Sequence, residues 1–576
     1  MFKLLAKAKR YLPSMIITVV ILFVVSMCDL LLPRLMASLI NDGVTSGNND
    51  HIIKIGFQML SVSLFSVLCQ IVTNQLTARS SMGFGRDLRS EVFKKITYFS
   101  LHEVNEFGTA ALITRTASDV REMQMLLRIG LGPVITVPLH MIGGIVMALS
   151  MDVPLSFVIV CAMPLMLAVI YFNITWVRPL FETMRDKLDN VSRVLRENLS
   201  GVRVIRAFNT LDREHERFNK ANLDYTGANR QARHRMATLQ PFITLIMSGT
   251  TVAIYWVGQY RIRAGAIQVG DVMAFSQYVF QILGSVMSLQ MMFNMIPSAM
   301  TAAKRLNHVL DSETVIKDPE VPQIPSPDVQ GEVRFENVTF HYPGAEKPVL
   351  ENISFEALPG ETTAIIGGTG SGKSTLVSLI PRLYDIQEGK IYVDRLDITQ
   401  MTQHELRNRV GFVTQKAQLF TGSIAENILF GDAYATDDDI KAAAQVAQAD
   451  SFIEETNDGY DSFVSQNATN LSGGQKQRIS IARVLAKKPE IYIFDDSFSA
   501  LDFKTDAALR AELKKVTKNA AVIIVAQRVA TIMDADRIIV LDQGKCVGQG
   551  THDFLMETCD IYSEIVYSQL RKEEVS

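Results

Sequence analysis

The run Gly367-Gly368-Thr369-Gly370-Ser371-Gly372-Lys373-Ser374-Thr375 has the residue types and the order needed to hold a chain of phosphates. Its glycines let backbone N–H groups converge on phosphate oxygens, Lys373 supplies a point charge to the β- and γ-phosphates, and the Ser374 hydroxyl is placed to ligate Mg2+. The apolar run Thr363 to Ile366 precedes it and Leu376 to Ile380 follows it. Strand, glycine loop and helix therefore come in the order that a P-loop requires.

Further along, Ile491-Tyr492-Ile493-Phe494 reads as a second buried strand that ends in Asp495 and Asp496. A carboxylate in that place sits beside the metal, the role expected of Asp495, and the next, Asp496, is placed to orient an attacking water. Between the two motifs lies Leu471-Ser472-Gly473-Gly474-Gln475-Lys476-Gln477-Arg478. A serine and two glycines ahead of a helical pattern build another anion site at a helix N-terminus.

The elements that must position these residues begin at Gly331, where short β-rich runs alternate with helical patterns, as in an α/β domain with a parallel-sheet core spanning 331–576. Residues 311–330 contain Pro319, Pro322, Pro325 and Pro327 with little apolar periodicity, and read as a linker. Residues 1–310 are of another kind. Apolar stretches of membrane-crossing length run from about 15 to 40, 52 to 75, 129 to 151, 153 to 176, 239 to 260 and 272 to 296. The fold class is thus an α-helical membrane domain of six transmembrane helices with long cytoplasmic extensions, joined to an α/β P-loop domain. The first stretch lacks a small-residue cleavage site and ends in Pro33 and Arg34, so it is expected to stay in the mature chain.

The whole chain has 576 residues, 48% of them hydrophobic, and a net charge of -3, which gives no basic excess to draw it to nucleic acid. Its five cysteines are scattered without metal-ligand spacing, so neither a disulfide framework nor a zinc site is expected. Lys and Arg are retained on the cytoplasmic side of a membrane. Residues 76–128 carry eight and residues 177–238 carry thirteen, whereas residues 41–51 and the turn around Asp152 carry none, which places both termini in the cytoplasm. Arg261 and Arg263, between the fifth and sixth spans, run against that trend.

The two basic segments mix charged and apolar residues at helical spacing, as in Met184, Leu188, Val191 and Leu195, and so extend the membrane helices by on the order of 40 Å before turning back. Each turn is an elbow able to touch a soluble domain. The expected elbows are Gly108 to Arg115 and Val204 to Asp212, the second exposing Phe208 as a coupling residue. Asp29, inside the first span, is costly in lipid and is expected to face a cavity or a partner. Gln277, Gln281, Ser288, Met292 and Met295 align near one face of the sixth span, a mixed polar and soft apolar stripe suited to varied ligands.

Taken in order, the P-loop, Gln415, the Leu-Ser-Gly-Gly-Gln signature at Leu471 to Gln475, the strand ending in Asp495, and Ser499-Ala500-Leu501-Asp502 resemble the ATP-binding-cassette family, and the six preceding spans resemble its exporters. The resemblance covers essentially the whole chain and implies ATP and Mg2+ as cofactors. It implies two such chains paired head to tail, each ATP lying between one P-loop and the other chain's signature. It further implies that Tyr342 stacks on adenine, that Gln415 touches Mg2+ and the membrane domain, and that Asp502 communicates across the dimer. The place implied is the cytoplasmic membrane of a bacterium, in contact with lipid, and the activity is ATP-driven export of small amphipathic molecules by alternating access.

At two positions the chain departs from the family. Where members with a competent site carry Glu after the strand Asp and His after the next strand, this chain has Asp496 and Gln527. The shorter Asp sets its carboxylate back by a methylene, and a misplacement of about 1 Å can cost on the order of 10²-fold in rate. Gln527 can hydrogen-bond but cannot carry charge. The signature is intact. This pattern resembles the degenerate-site subunit of bacterial heterodimeric multidrug exporters, and implies a second half-transporter that brings the Glu and His.

Overall fold

The computed structural model describes residues 1–326 and 329–569. Pro327 of the expected linker and residues 570–576 of the expected C-terminal domain lie outside the described residues. The chain divides into two compact units: Met1–Thr97 with Thr109–Ser312, and Tyr98–Gly108 with Glu313–Ser576.

In the first unit six helical stretches are long and apolar enough to cross a membrane. The spans expected from hydropathy fall in helices Leu12–Ser38, Asn49–Thr97, Pro133–Met151, Val153–Ser200, Leu239–Arg263 and Val269–Asp311. A helix is the element that satisfies its own backbone polar groups without water, which is what hydrocarbon demands. Val153–Ser200, at 48 residues, is about 70 Å long against roughly 30 Å of hydrocarbon, so much of it projects beyond the bilayer. Large apolar side chains such as Ile16, Phe57, Leu64 and Phe157 are exposed, as expected of surfaces that meet lipid. The interior is packed by Met166, Ile254, Phe275, Ile282 and Leu283.

Arg261, the charge on the unexpected side, has a partner. Its guanidinium donates through Nε and Nη2 to Asp152 Oδ2 at 3.1 and 2.8 Å, at the turn between the third and fourth spans. The pair is neutral, which removes the penalty that an unpaired arginine would carry there.

The first elbow lies earlier than hydropathy indicated. It is the helix Leu101–Phe107, started by a capping box in which Ser100 and Glu103 satisfy each other's backbone N–H groups, and ended by Gly108 at φ 74°. Ser-x-x-Glu was legible in the sequence and is the signal that dates the turn correctly. The segment Tyr98–Gly108 belongs to the second unit: Glu103 Oε1 accepts from Val315 N at 3.0 Å, and Asn105 Nδ2 approaches the Tyr384 hydroxyl at 3.4 Å. The second elbow is the short helix Val202–Ala207 followed by Phe208, whose side chain is 75% exposed.

The stretch expected as a linker is fastened to the second unit at several points. Ile316 is buried, Gln323 N donates to Gln400 O at 2.9 Å, and Asp318 Oδ1 accepts from Gln403 N at 2.9 Å. Beyond it stand two large sheets and a two-stranded one that pairs Gly422–Ser423 with Phe463–Val464. Four strands form the first, in the order Leu350–Ala357, Val333–Phe340, Glu388–Val393, Leu396–Asp397, all antiparallel. The second runs Lys545–Gly550, Arg537–Asp542, Thr362–Gly367, Ala521–Val525, Ile491–Asp495, Val410–Val413. Its last five strands are parallel and buried, which is why they read as continuous Val/Ile runs rather than as alternation.

Candidate functional site

In an open parallel sheet, ligands bind beyond the carboxyl ends of the strands. Thr362–Gly367 delivers the glycine loop to that edge, and the helix Lys373–Leu379 leaves from it. Val525 pairs with Asp495 and Val413 with Phe494, so three adjacent strands end level. Their next residues are Ala526-Gln527, Asp496 and Thr414-Gln415. Register alone therefore brings Gln415, Asp496 and Gln527 together beside the P-loop.

The loop is shaped to hold phosphate. Gly370 and Gly372 take φ of 83° and 99°, which a side chain would resist, and a Cβ at Gly368 or Gly370 would meet nothing within 4 Å. Ser371 Oγ is buried and makes no hydrogen bond. Lys373 Nζ donates to its own loop, to Gly367 O and Gly368 O, each at 2.8 Å. Burial pushes the Lys373 ammonium below the usual lysine range, opposed by the nearby Asp496 and Asp495 carboxylates. Ser374 Oγ donates to Asp495 Oδ1 at 2.9 Å, and burial pushes the Asp495 carboxyl up against the lowering effect of that bond. A serine hydroxyl and a dehydrated carboxylate side by side are the donor set a Mg2+ of a bound nucleotide needs. The residues present fit ATP with Mg2+.

Tyr342 is fixed at the rim of this loop. Its hydroxyl pairs with Thr375 Oγ1 at 3.0 Å, and its ring meets Phe340 and Tyr384 edge-on at 5.0 and 5.3 Å. Tyr384, on which Asn105 of the first elbow also bears, was not singled out from the sequence; an aromatic just past the P-loop helix was the available signal.

The corner at Asp496 is different. Asp496 adopts φ 49° and its Oδ2 accepts from Gln415 Nε2 at 3.2 Å and from Gln527 Nε2 at 2.7 Å. Both donors are neutral amides. A second residue missed in the sequence holds the Gln527 loop: Gln569 donates through Nε2 to Gln527 O at 2.8 Å and accepts from Val529 N at 2.9 Å. It lies on the last described helix and has no motif around it.

The signature starts a helix as expected, and its own polar groups engage each other. Ser472 caps Gly473–Lys487, its Oγ accepting from Gln475 N at 3.3 Å while Gln475 Oε1 accepts from Ser472 N at 2.8 Å. Leu471 packs against the hydrophobic core, and a Cβ on Gly474 would come within 3.2 Å of Ala500 O. Asp502 caps the next helix, Phe503–Val516, accepting from Thr505 N at 3.0 Å and Thr505 Oγ1 at 2.8 Å; these bonds hold its carboxyl below the usual range.

The chain is similar to known proteins along most of its length. Residues 15–286 match the family model described as ABC transporter transmembrane region, and residues 350–499 match the one described as ABC transporter. The chain is 40% identical over 547 residues to an uncharacterized ABC transporter ATP-binding protein of Mycobacterium tuberculosis, covering 94% of each. It is 35% identical to the uncharacterized ABC transporter ATP-binding protein YfiB of Bacillus subtilis, over 95% of this chain and 94% of that one. A fatty acid ABC transporter ATP-binding/permease protein of M. tuberculosis is 32% identical over 83% of this chain and 75% of its own length. Among solved structures, a bacterial Atm1-family ABC exporter with ATP bound superposes with a TM-score of 0.80 at 26% identity, covering 98% of this chain and 99% of that one.

Proposed function

The chain belongs to the ABC transporter family as an exporter half-transporter, and from that premise we propose that it exports amphipathic small molecules as one half of a heterodimer whose main hydrolytic site lies on the partner's P-loop. Bound ATP supplies the phosphoanhydride whose hydrolysis drives transport, with Mg2+ neutralising its charge. This chain's residues bind and orient it: the glycine loop and Lys373 hold the phosphates, Ser374, Asp495 and Gln415 hold the metal, and Tyr342 stacks on adenine.

The observation that carries the reading is the Asp496 carboxylate held between the uncharged amides of Gln415 and Gln527 at 3.2 and 2.7 Å. A general base needs its carboxylate free to take a water proton, and the γ-phosphate needs a group that can share charge. This corner supplies a shortened carboxylate and an amide. By contrast Ser472, Gly473 and Gly474 keep the form that faces a nucleotide across a head-to-tail dimer, and Asp502 stands at the same face. Phe208, exposed at the second elbow, serves as the coupling residue that docks on a nucleotide-binding domain. The resemblance to a relative named for fatty acids supports a cargo with a long apolar chain.

A second reading, a homodimer that uses Asp496 as its base, draws on the Asp496 charge lying close to Lys373. A third makes the chain a regulatory subunit that keeps its nucleotide bound. Purifying the tagged chain from native membranes separates them. The heterodimer reading expects a stoichiometric companion chain carrying Glu and His at the two altered positions, and nucleotide on this chain's P-loop that exchanges during turnover. A homodimer with full ATPase activity would overturn it, and nucleotide that never exchanges would favour the regulatory reading. Replacing Phe208 with Asp is expected to leave ATP hydrolysis running while transport stops.

A further inference from the structure

Among the acid–base pairs that join different helices of the membrane unit, three that involve Asp152, Asp119 and Asp29 are built differently. Asp152 takes two donors of Arg261 and also accepts from Leu155 N at 2.8 Å, with its side chain almost wholly buried. Asp119 takes Arg305 through both of its oxygens, at 2.8 and 2.5 Å. Each is a tight clasp. Asp29 lies near the middle of the apolar helix Leu12–Ser38, and its basic neighbour, His140 Nε2 of helix Pro133–Met151, stands 3.5 Å away, beyond ordinary hydrogen-bond range. That nitrogen is buried and makes no hydrogen bond. Ser66 Oγ, from the second span, donates to Asp29 Oδ1 at 3.2 Å.

Ser26 Oγ, one helical turn before Asp29, and Thr73 Oγ1, two turns after Ser66, are buried without hydrogen-bond partners. The side chains of Asp29 and His140 keep 34% and 22% of their surface exposed, so the pair can be reached. The other titratable groups around it are Cys28 on the same helix, Cys69 on the second span, and Tyr278 on the sixth, whose hydroxyl donates to Leu30 O at 2.8 Å with Arg34 nearby.

An ionised carboxylate in the middle of a membrane helix costs several kcal/mol unless a counter-charge or a proton accompanies it. A tight arginine clasp provides one permanently, as at Asp152. A loose histidine provides one that can leave. Resting on the export reading above, we propose that Asp29, His140 and Ser66 form the polar subsite for the head group of a monocationic amphiphile, taken up in exchange for one proton. The cation pairs with the Asp29 carboxylate, the proton that the pair held passes to water, and the net charge of the subsite is zero before and after. An anionic head group would meet Asp29 and is excluded from this subsite.

The test uses the complete transporter in lipid nanodiscs under weak buffer. The probes are a long-chain alkyltriphenylphosphonium and the neutral alkyldiphenylphosphine oxide of the same chain length. The cation is expected to bind at least about tenfold more tightly, to release up to about one proton per site, and to lose affinity as pH falls because protons compete for the same charge. The neutral probe is expected to release none. Asp29→Asn should erase both the preference and the proton release, and Asp29→Glu should retain them, which separates loss of charge from loss of fold. Equal binding of the two probes, or proton release that survives in Asp29→Asn, overturns the subsite. If ATP moves the neutral probe while the cation shows no preference, the subsite alone fails; if ATP moves neither probe, the export reading on which it rests fails with it.

Discussion

The two sides of the nucleotide-binding domain, the P-loop with its signature and the corner at Asp496, are built by the same sheet but have kept different chemistry. On the P-loop side the groups expected to bind phosphate and metal stand together: Lys373, Ser374 bonded to Asp495 at 2.9 Å, and glycines at positive φ. At the corner strand register sets Asp496 beside Gln527 just as closely, but the side chains there are a short carboxylate and a neutral amide. Binding a nucleotide and hydrolysing it are separable demands: the first falls on the glycine loop with Lys373, Ser374 and Asp495, the second on the side chains at Asp496 and Gln527.

The largest effect is expected at the signature. Ser472→Arg is expected to lower steady-state ATPase activity of the complex by on the order of 10²-fold or more, because it places bulk and charge where the partner's nucleotide must seat. Losing the helix cap costs only about 1 kcal/mol of stability, so the protein should still fold, as its thermal transition would show. Next in size is restoration. Asp496→Glu with Gln527→His together should raise hydrolysis at this chain's own P-loop by about tenfold or more, read as turnover in a complex whose partner site is disabled. No gain from the double substitution would place the defect elsewhere. Lys373→Ala should weaken nucleotide binding at this chain's P-loop by about tenfold, measured by equilibrium binding, while part of the ATPase activity persists. Complete loss with the partner's nucleotide still bound would mean that the sites do not work separately.

Much of this was legible in the sequence because the strongest features are local. A P-loop is nine consecutive residues with a strand before and a helix after, and six long apolar stretches announce six spans. What was not legible depends on residues far apart in the chain. The clasp of Arg261 on Asp152 joins positions 109 apart, and a count of positive charges could not see it. His140 gave no signal until folding set it against Asp29 on another helix. Gln569 reaches the Gln527 loop from 42 residues away with no motif to mark it. The first elbow was misplaced by several residues for a different reason: hydropathy sees no boundary within a cytoplasmic helix, whereas the Ser100–Glu103 capping box does.

Whether Asp496 is a weak catalytic group in a site that binds ATP is tested most directly by the steady-state ATPase rate of the purified complex carrying Asp496→Asn. The substitution keeps the size of the side chain and removes its charge, so it isolates the carboxylate's contribution to turnover. A heterodimer with its main site on the partner's P-loop is expected to show a modest decrease, within about threefold, because most turnover would take place where this chain's Ser472 faces the partner's nucleotide. A fall of 10²-fold or more, matching the loss at a working base, would contradict it and make Asp496 the catalytic residue of an active site.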